Sequence, residues 1–196
     1  MAGIDSAQVY LPSPDQSSTT GAIAVAPLGT TAPTDARTAL GVAWTSGGYV
    51  GEDGVTLSLS RSTSAIKDWS QSNVRKALTD FDGTIGFSFL QMDKFAADEL
   101  FGASNVTAVA ANTTHGNELA ISIGAELPPM KSWTFSMKDG SRRVRIYLPI
   151  AQVTEIGDVT FVPSAGNSYP ATVSCYPDST GKSIYVFYDD GEMTSV

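Results

Sequence analysis

The sequence predicts an all-β protein with one short helix, built as a β-sandwich or barrel, and three observations lead to that class. Apolar and small polar residues alternate with a period of two in several separate runs, the mark of strands with one buried face. Glycine and proline, 18 and 10 of 196 residues, punctuate the chain too often for long helices. Ser, Thr and Val, which suit a pleated and half-buried surface, are plentiful between those points. With 42% hydrophobic and 16% charged residues the chain can build one sizeable core that carries long loops.

Residues 1–40 mix Pro, Ser, Thr, Gly and Ala around one apolar patch, Ala22–Pro27. They predict an extended N-terminal arm with one short strand, either disordered or ordered only by lying on a neighbour. Residues 41–190 carry the main domain, with an extended loop or hairpin over about 44–81, and residues 191–196 form a C-terminal tail. From Gly54 onward, Val55, Leu57 and Leu59 alternate with Thr56, Ser58 and Ser60 as in a half-buried strand. The same pattern returns in Thr84–Phe89 and in Lys131–Met137.

Asp139-Gly140 suits a two-residue hairpin turn, folding strand 131–138 back on 141–149. That register sets Phe135 opposite Val144 and Trp133 opposite Ile146, with Ser136 opposite Arg143 and Thr134 opposite Arg145 on the other face. Asp82-Gly83 offers the same turn between 72–81 and 84–91, but there the pairing mixes the faces. A longer turn, a bulge, or a strand pair standing away from the core is expected instead. One helix is expected over Lys94–Phe101, capped by Asp93 and closed by Gly102. Further strands are expected at Glu118–Ile123, Val153–Phe161, Pro170–Tyr176 and Ile184–Tyr188.

The chemistry-bearing residues do not converge. A net charge of −8 argues against a basic nucleic-acid patch. Arg142, Arg143 and Arg145 crowd together, but on a strand whose face is expected to be solvated or salt-bridged. The lone Cys175 is expected to be a buried thiol, and His115 a solvent-exposed turn histidine. Asp189-Asp190-Gly191-Glu192 lacks the spaced carboxylates of a cation loop. No catalytic, metal or cofactor-binding residue is assigned. The N-terminus shows no basic and apolar leader, and no run is long enough for a membrane span, so a cytoplasm-like compartment is expected.

Two blocks carry a family resemblance. The first, Gly54–Leu90, has an acidic-Gly turn, a Ser/Thr-alternating strand, Trp69 and the pair Val74-Arg75, and leads to a short helix ending in Phe101-Gly102. The second has a basic strand, Ala151-Gln152-Val153-Thr154, Gly157-Asp158, and a closing Tyr-Pro strand with Pro177-Asp178. In order and spacing, over roughly 42–190, these resemble the major tail proteins of siphoviruses, the long non-contractile-tailed bacteriophages.

The resemblance implies a tail-tube protomer that assembles six to a ring, each copy lending strands to an inner β-barrel around a lumen. It implies stacked rings forming a conduit for viral DNA, made in the host cytoplasm and resident in the virion tail. Implied partners are other copies, the tape measure protein, and the tail terminator and distal tail proteins; no membrane partner and no sequence-specific DNA binding are implied. Thr56, Ser58, Ser60, Thr84 and Ser88 are the candidates for the lumen face. Tyr49, Val50, Trp69, Val74 and Arg75 are the candidates for contacts between subunits, and the hairpin over about 44–81 is expected to reach between stacked rings. Because the chain stops soon after Tyr188, an undecorated tube is expected. Two rivals stand beside this reading: the inner tube of a contractile tail or injection machine, and a β-sandwich carbohydrate- or receptor-binding module suggested by Trp44, Trp69 and Trp133. A Ser-dependent hydrolase acting through His115 is a weaker third.

Overall fold

The computed structural model of the chain describes residues 9–17 and 20–193, so the expectations for residues 1–8 of the arm and 194–196 of the tail lie outside the described residues. In chain order the strands are β1 (Ser13–Pro14), β2 (Ile23–Ala26), β3 (Thr45–Ser46), β4 (Val50–Lys67) and β5 (Asn73–Phe89). After the helix α1 (Lys94–Phe101) come β6 (Val106–Val109), β7 (Glu118–Ile121), β8 (Lys131–Asp139), β9 (Arg142–Ile156), β10 (Tyr169–Tyr176) and β11 (Tyr185–Asp189). The all-β class with one short helix holds.

One antiparallel sheet runs β3-β2-β8-β9-β10-β5-β4, with β1 added to β8 and β11 to β9, while β6 and β7 pair apart from it. The 15 residues of β9 join its two halves: Arg143–Tyr147 pair with β11, and Ile150–Ile156 with β10. The sheet closes over on itself. Phe87 of β5 lies 5.5 Å from Phe135 and 6.1 Å from Trp133 of β8, ring centre to ring centre, although two strands separate β5 from β8 in the sheet order. Ile23, Ile85, Phe89, Leu148, Val153 and Val173 fill the space between the halves. Each such side chain contributes roughly 1.5–3 kcal/mol by leaving water.

Helix α1 closes one end of this core through Ala96 and Leu100. Its limits are those the sequence predicts, for the expected reasons. The Asp93 carboxylate accepts the Ala96 N–H at 2.8 Å, and Gly102, at φ +85°, turns the chain out of the helix while its N–H bonds Asp98 O. Lys131 of β8 fastens the helix from outside, with Nζ 2.7 Å from Oε1 of the buried Glu99.

Several expectations change. The hairpin β8–β9 turns on Gly140-Ser141, with Gly140 at φ +60° in the first central position as a type II′ turn requires. Phe135 therefore faces Ile146, Trp133 faces Leu148, Ser136 faces Arg145 and Thr134 faces Tyr147. The slip is two residues, so every side chain keeps its expected face. Asp82-Gly83 is no turn. Both residues lie inside β5, and Gly83 is there for close approach, since a Cβ would stand 2.9 Å from Ile184 Cδ1. The ribbon reverses instead at 68–72, where Asp68 Oδ1 accepts the Ser72 N–H and the Ser70 hydroxyl. The expected strand Val153–Phe161 is the far end of β9, which stops at Ile156.

The described part of the N-terminal region, finally, is held by its own chain. Ile23–Ala26 are buried and pair with β8, because four consecutive apolar residues can be covered on both faces. Around them Asp15 reaches Lys138 and Arg143 as expected of a salt-bridged face, whereas Arg145, expected on that same solvated or salt-bridged face, is buried and donates to the carbonyls of Asp35 and Thr38, because the N-terminal segment covers it.

Candidate functional site

The body of the protein has two sheet faces, and on β4, β5 and β10 they differ in chemistry. Toward the core point Ile85, Phe87 and Phe89 with Ala171, Val173 and Cys175, and the half-buried Val55 and Leu57 pack beside them. The opposite face is built of hydroxyls and small residues: Thr56 sits across from Gly86, Ser58 from Thr84 and Ser60 from Asp82. On the next strand Ser174 pairs with Thr84 and Thr172 with Gly86. The Ser174 hydroxyl is 2.8 Å from that of Thr154 on β9. Thr56, Ser58, Ser60, Thr84 and Ser88 thus come together on one face, turned away from the core.

The strands β4, β5, β10 and the end of β9 form a four-stranded unit with two open borders. Among the described residues, strand β4 pairs only with β5. Pairing of β9 with β8 ends at Ala151, so among the described residues no strand lies on the free side of Gln152–Ile156. An isolated sheet with two such borders is prone to add further strands.

Beyond Leu59 and Gly83 the β4–β5 ribbon leaves the body, and all its side chains are exposed save a half-buried Ala77. The interface candidates fall at its two ends. Tyr49 and Val50 stand at the root, beside Leu90, whose N–H bonds Tyr49 O. Trp69, Val74 and Arg75 are at the tip, about 50 Å away at ~3.3 Å per strand residue. Trp69 is fully open to solvent at 101% exposure. Sequence reasoning missed Ile66 and Leu78, both more than half exposed on the same ribbon. The signal was the mixed-face pairing of 72–81, which marks a strand with no layer to cover it.

The remaining chemical candidates are tied down locally. Burial pushes the Cys175 thiol up to about 12, which keeps it neutral. His115 is half-buried rather than exposed, bonded within its turn to Asn112 and to Gly116 O. The Asp189 carboxylate is gripped by Arg37 at 2.7 and 2.8 Å, and that hydrogen bonding lowers it to about 2. Among the described residues no three His, Cys, Asp or Glu side chains gather as a metal site. Of the three tryptophans only Trp69 is fully exposed; Trp133 is buried and Trp44 is half-buried against Tyr147. The three tryptophans therefore do not share one exposed face. Among the described residues no helix is long and apolar enough to cross a membrane.

Two comparisons with known proteins complete the description. The model of a family described as phage tail tube protein matches residues 16–195. No curated protein matches the chain.

Proposed function

The chain belongs to the phage tail tube protein family, and from that premise we propose that six copies close into a ring whose inner wall is the four-stranded unit β4-β5-β10-β9. As a member of that family it is a structural, self-assembling component of the virion tail. The observation that carries the finer reading is the coincidence of two open borders with one hydroxyl-covered face on the same strands.

Joining border to border, β4 of one copy would pair with the free side of Gln152–Ile156 in the next, and no edge would remain. Six copies then supply 24 strands. At ~4.8 Å between strands and a tilt near 40°, such a barrel is roughly 45–50 Å across between backbones, wide enough for a DNA duplex. Thr56, Ser58, Ser60, Thr84 and Ser88 would line it, with Asp82 adding negative charge that repels phosphate. Stacked rings would conduct the genome into the host, in a non-contractile tail assembled in the host cytoplasm around a tape measure protein. Terminator and distal tail proteins would close the ends.

The test is negative-stain microscopy of the purified chain. Rings or tubes ~100 Å wide, allowing a second protein layer outside the barrel, support the reading. Monomers alone, at high concentration, would refute it. Placing Pro at Val153, Thr154 and Glu155 one at a time should abolish rings wherever the lost N–H faces the free border.

A further inference from the structure

A cavity opens beside the first residues of β4, and the pairing of that strand explains it. From Val50 opposite Phe89 to Val55 opposite Phe87, β4 takes five steps while β5 takes two, so Gly51–Gly54 bulge away from the ladder. Gly54, at φ +69°, turns the chain back into line. The space left between this bulge, β1 and β8 measures about 400 Å³. Pro14, Ile23, Val50, Val55, Phe135 and Met137 wall it, which makes it an apolar hole reaching down to the core. The exposed Glu52 and Asp53 stand at its mouth. An apolar knob lies at the opposite border of the four-stranded unit. After Ile156 the chain runs through a loop, 157–168, pinned at its base where the Gly157 N–H donates to Pro170 O at 2.9 Å. On this loop Phe161 is 72% and Val162 42% exposed, and Asp158 is its only charged residue. In the order β9-β10-β5-β4, knob and hole are three strand spacings apart, roughly 14 Å at ~4.8 Å each.

We propose that Phe161 of one copy plugs the hole beside β4 of the adjacent copy in the same ring. The occupant is a second copy of this chain because the direction of the strands brings the two features together. Each strand of the unit runs against its neighbour, β4 against β5, β5 against β10 and β10 against β9. Joined border to border, β9 of one copy therefore meets β4 of the next antiparallel, and the end of β9 comes to the beginning of β4. Within the unit itself Ile156 and Val55 already stand at the same end, in one row of paired residues, Ile156, Ala171, Phe87 and Val55. Five residues carry the loop from Ile156 to Phe161, and five separate Val55 from Val50, so the loop has the reach to pass along the bulge. An exposed aromatic ring entering an apolar hole is the usual form of an interface anchor. Knob and hole occupy different borders, so each copy gives one such contact and receives one, a heterologous contact that closes in a ring. The plug also fixes the register of the seam. Backbone pairing alone tolerates a slip of two residues, which leaves every side chain on its face.

This inference rests on the ring reading, and its test keeps the two apart. The full-length chain carrying Glu52→Cys and Thr160→Cys, with Phe161 retained, is assembled, inspected by negative stain and treated with a short thiol-to-thiol cross-linker. The parent is the control, because its one thiol, Cys175, is buried and neutral. The double variant should give a ladder of covalent oligomers that ends at the number of subunits in the ring, and each single variant monomer alone. Rings without a ladder, or a bridge within one chain, overturn the docking and leave the ring reading standing. A ladder that runs past the ring number places the loop between stacked rings and overturns it equally. A parent chain that forms no rings overturns the ring reading and the docking with it. Phe161→Asp supplies a second measurement. Its melting temperature should stay close to the parent's, as for a surface change, while the protein concentration at which rings form rises at least ~10-fold, as for a lost anchor. Phe161→Leu, which keeps an apolar knob, should restore most of that loss. A clear fall in melting temperature with Phe161→Asp would show that the ring packs on its own chain, and unchanged assembly would show that the hole is filled by another segment; either result overturns the proposal.

Discussion

The inner and outer halves of the β4–β5 ribbon share strands, alternation and pairing, yet their side chains meet opposite surroundings. In the inner half, Ile85, Phe87 and Phe89 are buried beneath β8 and α1. In the outer half, Leu59, Ile66, Leu78 and Trp69 follow the same ribbon into solvent. A strand pattern thus specifies a ribbon, while burial depends on whether a second layer lies opposite. A two-stranded ribbon is marginal by itself in water, and this one is anchored by its root in the core and by the Asp68 turn at its tip. Its apolar groups Leu59, Ile66, Leu78 and Trp69 have no covering layer among the described residues.

The contrast is sharpest for tryptophan. Trp133→Ala should cost about 3–5 kcal/mol in urea unfolding of the monomer, because a buried ring leaves a cavity between β8 and β5. Its indole N–H has no hydrogen-bond partner among the described residues, so the loss is one of packing and not of a hydrogen bond. A smaller but still clear effect belongs to Gly48→Ala at the root. The backbone there has φ +76°, and a Cβ would sit 2.6 Å from Cδ1 of the buried Phe89 ring. Strain plus ring displacement should remove about 2–3 kcal/mol. A melt unchanged by Gly48→Ala would show that the root is softer than its geometry implies. Asp93→Ala comes next, at ~1 kcal/mol, the usual worth of an N-cap.

How much of this was legible in the sequence depends on how local the cause was. Helix α1 was legible to the residue, because Asp93 and Gly102 act within one turn of its ends. The face of every side chain in the β8–β9 hairpin was legible from alternation, whereas the register slipped because Asp139-Gly140 and Gly140-Ser141 are both competent turns. Choosing between them needed the whole sheet. Asp82-Gly83 was misleading for a tertiary reason: a glycine required by Ile184 looks the same in sequence as one required by a turn. The anchoring of the N-terminal region was hidden because Asp15, Asp35 and Thr38 meet Arg143 and Arg145 only across more than a hundred residues. Of the candidate site, the hydroxyl face was legible from period two alone. The separation of Tyr49 from Trp69 was not, since it follows from an uninterrupted strand that the supposed turn had divided.

The smallest effects test whether the outer ribbon is as independent as its exposure suggests and the body as tightly tied. Trp69→Ala should shift monomer stability by no more than ~0.5 kcal/mol, as expected for a surface change; a larger loss would mean that the tip packs on its own chain. The matching probe of the body is the Arg37–Asp189 pair, which joins the N-terminal segment to β11. The Asp189 carboxyl stands lowered to about 2, first by its hydrogen bond from Arg37 and then by the Gly191 N–H. A lowered folded value means that the stabilisation is fully present above the unfolded value of 3.8 and disappears as pH falls through about 2. Carboxyl-carbon NMR should therefore find Asp189 still ionised at pH 3, and Arg37→Ala should move its midpoint back up toward 3.8. A midpoint that ignores Arg37 would mean that the segment is held by its pairing with β8 and by Arg145 and Asp15, and that the Arg37–Asp189 tie adds nothing to the body's order.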